Sequence, residues 1–129
     1  MYSGLHRLRS MRVLLPYILG LYAVATVFVA QVSFKQSTLV SGFWNFVLWQ
    51  AIGNVVAFTG VLAETWLIKL TTLNIAFAVM GGLGFLAVQV LGAGVLFHER
   101  ISWGQWIGTA LIFVGIVLIA LTRQAAPAQ

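Results

Sequence analysis

Four long apolar segments alternate with short polar stretches along this chain of 129 residues. They predict helices at about 13–34, 43–68, 73–97 and 103–122. An apolar run of about 20 residues spans the hydrocarbon core of a bilayer as a helix. Aromatic and basic residues near the segment ends, such as Trp44, Trp66 and Lys69, suit the headgroup regions. The pattern predicts an all-α integral membrane protein, a bundle of four transmembrane helices that forms one domain over residues 1–129.

Composition excludes a soluble protein, and charge predicts the orientation. Hydrophobic residues make up 61% of the chain and charged residues only 7%, whereas a soluble domain carries about 25% charged residues. The seven basic residues divide unequally between the two sides of the membrane: Arg7, Arg9, Arg12, Lys69 and Arg123 against Lys35 and Arg100. The positive-inside rule then predicts that both termini lie in the cytoplasm. The net charge of +5 therefore concerns orientation rather than nucleic acid.

The sequence offers little catalytic chemistry. It has no cysteine, which excludes disulfides and thiolate ligands or nucleophiles. Its two histidines, His6 and His98, lie far apart at segment ends. No nucleophile, base and orienting group converge, so we predict neither an enzyme nor a bound metal or cofactor.

Polar residues are costly to bury within the predicted spans, and six of them are candidates for a functional site: Gln31, Gln50, Asn54, Glu64, Asn74 and Gln89. Gln50, Asn54 and Glu64 share one face of the second helix by helical spacing. Gln31, near the end of the antiparallel first helix, is expected at a depth similar to Gln50. We therefore predict an amide-lined zone centred on Gln31, Gln50 and Asn54. The alternative is that each amide only joins two helices, at about 1 kcal/mol or less.

Glu64 is the one carboxylate within a predicted span. Such an acid could take up protons in a coupled transporter. It lies only about one turn from the inner end of its helix, however, and an interfacial acid paired with Lys69 or Arg12 is the favoured interpretation. Both interpretations stay open at this point.

Three glycines, Gly81, Gly82 and Gly84, lie near the middle of the third helix. Glycines weaken a helix, so they need a reason. One reason is close packing, and the other is a hinge that lets the helix bend between inward-open and outward-open states. Phe77 and Met80 precede the glycines and are expected to line the transport path.

Four short helices cannot easily enclose a path for a sizeable solute, so we predict a dimer or a partner chain. The fourth helix carries Gly108 and Gly115 with Ile112 and Ile119 beside them, and small residues let helices approach closely. These four residues are the predicted dimer face, with packing inside one chain as the alternative. Since an antiparallel homodimer would place the N-terminal arginines of one copy on the wrong side, we favour a parallel homodimer or a related partner chain.

The order of these features resembles the small multidrug resistance family of the drug/metabolite transporter superfamily. Gly82-Leu83-Gly84 is similar to that family's helix 3 hinge, and the stretch from Ile107-Gly108 to Gly115 and Ile119 resembles its dimerisation helix. The resemblance covers nearly all the chain beyond the first dozen residues. It implies a multi-pass transporter of the bacterial inner membrane.

The chain departs from that family's drug exporters at the substrate site. Those exporters carry an essential glutamate in helix 1, eight residues before a lysine, and counting back from Lys35 leads to Val27. No acid lies anywhere in helix 1. The helix 3 aromatic that cradles cationic drugs in that family is matched here by Met80.

Two local motifs resemble the 4-amino-4-deoxy-L-arabinose–phosphoundecaprenol flippase subunits. One is Gln31-x-x-x-Lys35-Gln36, and the other is the His98-to-Ser102 turn followed by Trp106-Ile107-Gly108. This resemblance implies a polyprenyl-phosphate-linked sugar that moves between leaflets. Amides of the predicted zone would then bind the sugar hydroxyls, and Lys35 and Arg100 would bind the phosphate.

Three functions follow from these patterns. The leading hypothesis is a flippase for a lipid-linked sugar or related lipid. The first alternative is a small-solute or cationic-drug exporter that uses Glu64 in place of the usual acid. The second is a non-transporting accessory subunit of a larger membrane complex.

Overall fold

The computed structural model describes residues 2–122, with side chains from residue 14 onward. Its four helices are α1 (Tyr2–Leu39), α2 (Phe43–Leu70), α3 (Leu73–Leu96) and α4 (Trp103–Leu121). All four contain a stretch long and apolar enough to cross a bilayer, which in α1 is Leu14–Leu39. No strand occurs in the described part of the chain. The predicted all-α bundle with four membrane spans is confirmed.

Helix α1 is longer than predicted at both ends. It begins at Tyr2, so Pro16 lies in the helix interior, where it lacks an N–H donor. At the other end, the hydroxyl groups of Ser37 and Thr38 donate to carbonyl oxygens three residues back, at 2.6 and 2.7 Å. No glycine or proline interrupts this end before Gly42, whose φ of 93° makes the turn into α2.

Small residues set the register of the antiparallel α1–α2 pair. A Cβ atom at Gly53 would overlap the ring of Phe34, and one at Gly60 would overlap the hydroxyl of Thr26. These contacts place Phe34 level with Gly53 and Thr26 level with Gly60. The depth of every other residue on α2 relative to α1 follows from this register.

Helix α3 packs along α1 in the same direction. Val27 fits against Gly84, where an added Cβ would lie 2.9 Å from the valine Cγ1. Wide π-type turns occupy Ala78–Leu83 and Val88–Leu96, on either side of Gly84–Ala87. Such turns are rare and occur frequently at functional sites.

Helix α4 is attached more lightly than the others. Its clearest contact is Ile116 on Gly82, where an added Cβ would lie 2.5 Å from the isoleucine. Only 6% of its apolar window is buried, against 22% for the corresponding window of α1. The helix starts at a capping box between Ser102 and Gln105. Most of its surface faces away from the other three helices.

Candidate functional site

A cavity of about 500 Å³ lies between α1, α2 and α3. This cavity is called the Glu64 cavity below. It is lined by Val27, Gln31, Glu64, Phe77, Met80, Gly81, Phe85 and Val88. The wall is apolar and aromatic apart from one carboxylate and one amide. Such a wall suits an organic cation, because a carboxylate balances its charge and aromatic faces attract it.

The register of α1 and α2 brings the Glu64 carboxylate to the middle of the bundle. Helical side chains lean toward the N-terminus of their own helix, so Glu64 points back along α2 toward Gly60. Gly60 faces Thr26, close to the midpoint of the Leu14–Leu39 span. The sequence places Glu64 about one turn from the inner end of its helix, and the structure adds that its side chain lines a cavity together with Val27 and Gln31 of α1.

The expected ion pair between Glu64 and Lys69 does not form. Among residues 14–122 the one salt bridge joins Lys35 and Glu99. The Lys69 ammonium lies instead 4.9 Å from the centre of the Trp66 ring. Arg12, the other expected partner, lies outside the side chains that the structure describes. Glu64 is thus half-buried and forms no salt bridge with any described base.

Phe77 and Met80 line the Glu64 cavity together with Phe85, as the sequence predicts for the first two. Phe85 was missed, although Phe77, Gly81, Phe85 and Val88 follow steps of four and three along one face of α3. That spacing is the signal that would have found it.

The three glycines of α3 differ in their surroundings. Gly82 and Gly84 lie where α4 and α1 approach closely, which supports close packing as their role. Gly81 lines the Glu64 cavity, and an added Cβ would only touch the Phe77 ring at 3.8 Å. The hinge at these glycines stays a prediction.

The three amides of the predicted zone do not come together. Gln31 lines the Glu64 cavity. Gln50 donates from Nε2 to the Ser37 hydroxyl at 3.1 Å, nearer the end of the helix pair. Asn54 is exposed and donates to the carbonyl oxygen of Gln50 at 2.8 Å. Only Gln31 is therefore placed to contact a solute in this cavity.

A smaller cavity of about 330 Å³ adjoins the Glu64 cavity. It lies toward the end of the bundle where α1 ends, which is called the Lys35 end below. This second cavity is called the Lys35 cavity. It is lined by Gln31, Val32, Phe34, Lys35, Thr38, Val88, Gly92, Ala93, Phe97 and Glu99. It shares Gln31 and Val88 with the Glu64 cavity. The two cavities therefore lie next to each other, and the region that they span together, from Glu64 to the Lys35 end, is called the path below.

Lys35 and Glu99 meet at the mouth of this path. The lysine Nζ lies 2.8 Å from the carboxylate Oε1 of Glu99 and 5.9 Å from the centre of the Phe97 ring. Lys35 is thus already paired, whereas the sequence assigned it to a substrate phosphate together with Arg100. Arg100 is exposed in the turn and lines neither cavity.

A third cavity, of about 630 Å³, lies toward the opposite end, between α1, the end of α2 and the start of α3. Its wall is apolar apart from Tyr17 and Thr71 and includes Val24, Leu67 and Val79. Because it contains no carboxylate, this apolar cavity lacks the charge that an organic cation needs.

The predicted dimer face on α4 is open in the single chain. Apart from the neighbouring backbone of α4 itself, no described atom lies within 4 Å of a Cβ added at Gly108 or Gly115. Ile112 and Ile119 are 38% and 37% exposed. Packing against the described residues of the same chain therefore does not account for these glycines, and the dimer face stays a prediction.

Comparison with known proteins identifies bacterial relatives. The chain is 30% identical over 100 residues to the spermidine export protein MdtI of Yersinia enterocolitica, which covers 78% of this chain and 87% of that protein. It is 30% identical over 107 residues to the spermidine export protein MdtI of Yersinia pestis, which covers 83% of this chain and 94% of that protein. No protein-family profile matches the chain, and no solved structure gives a significant match.

These relatives are transporters and not enzymes. Together with the four apolar helices, they support a multi-pass protein of the bacterial inner membrane. The resemblance of helices α3 and α4 to a known transporter family is thereby confirmed: the chain belongs to the small multidrug resistance family.

Proposed function

We propose that this protein exports small organic cations, with Glu64 as the site at which a cation and a proton exchange. The main support for this proposal is the position of Glu64. Its side chain is half-buried in a mid-span cavity and forms no salt bridge with any described base. The similarity to spermidine exporters supports this proposal. It was the first alternative to the lipid-linked sugar flippase.

The Glu64 cavity has the chemistry that a cation needs. In a low-dielectric surrounding the attraction between a carboxylate and an ammonium is stronger than in water. The rings of Phe77 and Phe85 add cation–π attraction, and the Gln31 amide oxygen accepts from an N–H group. A solute with a positive charge and an apolar body therefore matches every part of this wall.

One carboxylate holds either a proton or a substrate cation, and this competition couples the two. Substrate binding displaces the proton, and a proton arriving from the other side displaces the substrate. The family's drug exporters place this acid on helix 1, whereas α1 offers Val27 here. Since Val27 and Glu64 line the same cavity, α2 supplies the acid at the level where α1 lacks it.

The geometry gives the flippase hypothesis less support. A lipid phosphate needs several bases that converge on its site, but Arg100 lines neither cavity and Lys35 pairs with Glu99 in this structure. A sugar needs several amides or hydroxyls, but Gln50 and Asn54 line neither cavity of the path. The relatives likewise favour a small solute over a lipid-linked sugar.

The transporter is proposed to work as a dimer, either with itself or with a related chain. The open α4 face with Gly108, Ile112, Gly115 and Ile119 is the proposed contact, because small residues there meet nothing within the chain. The orientation with both termini in the cytoplasm remains the expectation from the charges.

Transport by the purified protein in proteoliposomes tests this function. An acidic interior drives uptake of labelled spermidine and of a labelled monoamine in exchange for protons. Glu64→Gln is expected to lower both rates by about 100-fold or more, because removing one partner of a buried charge pair costs about 3–5 kcal/mol. Lys69→Gln is the control, since Lys69 lines neither cavity of the path.

Three outcomes would contradict the proposal. Wild-type rates in Glu64→Gln would remove the carboxylate from the mechanism. Absence of amine transport by the well-folded chain, with stable one-to-one binding to a larger complex, would favour an accessory subunit. Flipping of a polyprenyl-phosphate sugar in the same vesicles, without amine transport, would restore the flippase.

A further inference from the structure

Glu99 brings a second carboxylate to the path, at the end opposite Glu64. It lines the Lys35 cavity, which joins the Glu64 cavity at Gln31 and Val88. The ammonium group of Lys35 lies 2.8 Å from the Glu99 carboxylate, beside the Phe97 ring. A carboxylate, an aromatic ring and an alkyl ammonium thus already form a complete ammonium site.

We propose that Glu99 is a second ammonium subsite, which Lys35 occupies in this structure and which a substrate with two ammonium groups takes over. One ammonium of the substrate then binds Glu64 while the other binds Glu99. The preferred substrates are linear diamines and polyamines rather than monoamines. This inference rests on the proposed function and adds to it a second substrate-binding residue, Glu99.

The separation of the two subsites suits a linear amine. Glu64 lines the same cavity as Val27, and the Glu99 carboxylate contacts the ammonium group of Lys35. Eight residues of α1 between these levels correspond to about 12 Å along the helix axis. An extended chain advances about 1.2 Å per bond, so amines about nine or ten bonds apart would reach both carboxylates.

Glu99 is fixed to the end of α3, whereas Lys35 is able to leave. The Glu99 N–H donates to the carbonyl oxygen of Ala93 at 2.8 Å, and that of Phe97 donates to Gly92 at 3.0 Å. His98 between them has a φ of 49°, which turns the chain sharply. The lysine and glutamate side chains remain 43% and 45% exposed. Ion pairs this exposed contribute little to stability, so a second ammonium displaces Lys35 readily.

The wall between the two subsites suits the connecting chain. Val88 belongs to both cavities, and Val27 and Val32 lie on either side of Gln31 along the path. These apolar side chains match methylene groups. The Gln31 amide oxygen is able to accept from an inner N–H of a polyamine.

Three amines of defined length and charge test the inference. The first is 1,8-diaminooctane, whose nitrogens are about nine bonds apart and span about 11 Å when extended. The second is 8-aminooctan-1-ol, which has the same chain and one ammonium. The third is 1,3-diaminopropane, which has two ammonium groups too close together to reach both carboxylates. Proton-coupled transport of each is measured in proteoliposomes, with KM and kcat determined separately.

Opposite effects of two substitutions form the central expectation. Glu99→Gln raises the KM for 1,8-diaminooctane by about tenfold, because a charged hydrogen bond is lost. It leaves the KM for 8-aminooctan-1-ol unchanged. Lys35→Gln removes the internal competitor and lowers the KM for the long diamine by a few fold. Arg100→Gln, next to Glu99 but outside both cavities, is the control and changes neither.

A purely structural pair gives a different result. If Lys35 and Glu99 only hold α1 and α3 together, both substitutions shift all three amines in the same direction, and the subsite is overturned. Equal KM values for the long diamine and the amino alcohol in the wild type also overturn it, while the proposed function stands. If the wild type transports none of the amines, the proposed function itself fails.

Discussion

Glu64 and Glu99 line neighbouring cavities that share two residues, but their carboxylates meet different surroundings. Glu64 lies among apolar and aromatic side chains near mid-span and has no salt bridge with a described base. Glu99 lies half-exposed at the mouth and is paired with Lys35 at 2.8 Å. The difference separates two functions of an acid in a membrane: exchanging its partner in the interior, and holding a replaceable partner at the surface.

The largest expected effect comes from moving the interior acid to another helix. Glu64→Gln combined with Val27→Glu places a carboxylate in the same cavity from α1. Amine transport in proteoliposomes is expected to recover at least about tenfold over Glu64→Gln alone, because the charge partner is restored.

Val24→Glu in the Glu64→Gln background is the matched control for that recovery. Val24 lies about one turn from Val27 on α1 but lines the apolar cavity instead. Recovery by both acids would show that any carboxylate on α1 suffices and that the Glu64 cavity is not the site.

The next largest effect is expected from disturbing the α1–α2 register, which sets the depth of Glu64 in the bundle. An added methyl group at Gly60 would overlap the Thr26 hydroxyl, so Gly60→Ala should lower stability by about 1–3 kcal/mol through overpacking. Thr26→Ala in the same chain should recover part of that loss by removing the overlapping atom. Thermal unfolding of the purified protein in detergent measures both.

Gly104→Ala is the control for this pair. Its Cβ would meet only the Ser102 hydroxyl, at 4.0 Å, so stability should change little. Unchanged stability of Gly60→Ala, or no recovery with Thr26→Ala, would contradict the register that carries Glu64 to mid-span.

A substitution on the α4 face is expected to weaken the dimer without changing the surroundings of Glu64 or Glu99. Gly115→Leu adds bulk where nothing lies within 4 Å in the single chain, so the fold should persist while the dimer weakens by about 1 kcal/mol or more. Crosslinking at a series of protein-to-lipid ratios measures the change in the stability of the dimer. Gly82→Leu is the contrasting variant and should disrupt the chain itself, because Gly82 contacts Ile116. If Gly115→Leu leaves the dimer unchanged, the dimer contact lies on another surface.

The smallest expected effect concerns the exposed pair. Lys35→Gln should change the free energy of unfolding by only about 0.2–1 kcal/mol, with the effect decreasing as salt rises. Chemical unfolding at low and high salt checks this value. A loss of several kcal/mol would make the pair a structural clasp and remove the basis for its displacement by substrate.

The sequence predicted the fold more completely than the site. Segment length and hydropathy set the four spans, since the bilayer fixes how long an apolar helix must be. The helix ends differ from the prediction where local signals are weak: α1 continues to Leu39, since no glycine or proline interrupts this end of the helix before Gly42. Phe77 and Met80 are expected at the transport path because they precede the glycines of α3, and the structure places both in the wall of the Glu64 cavity.

The amide zone did not form because depth along a helix does not decide which neighbour a side chain faces. Gln31, Gln50 and Asn54 lie on two helices, and only the rotation of each helix determines its contacts. Asn54 turned to its own backbone, and Gln50 turned to Ser37. Likewise, Lys35 and Glu99 are 64 residues apart in the chain, and nothing local predicts their contact.

The sequence by itself determined an apolar four-helix membrane protein, the single acid within its spans and the absence of an acid from helix 1. Only the tertiary structure decided that this acid reaches the level of Val27. The physical reason is the α1–α2 register, which Gly53 and Gly60 set by admitting Phe34 and Thr26, together with the lean of helical side chains toward the N-terminus. Distant residues meet through such packing, and packing is a property of surfaces rather than of spacing along one chain.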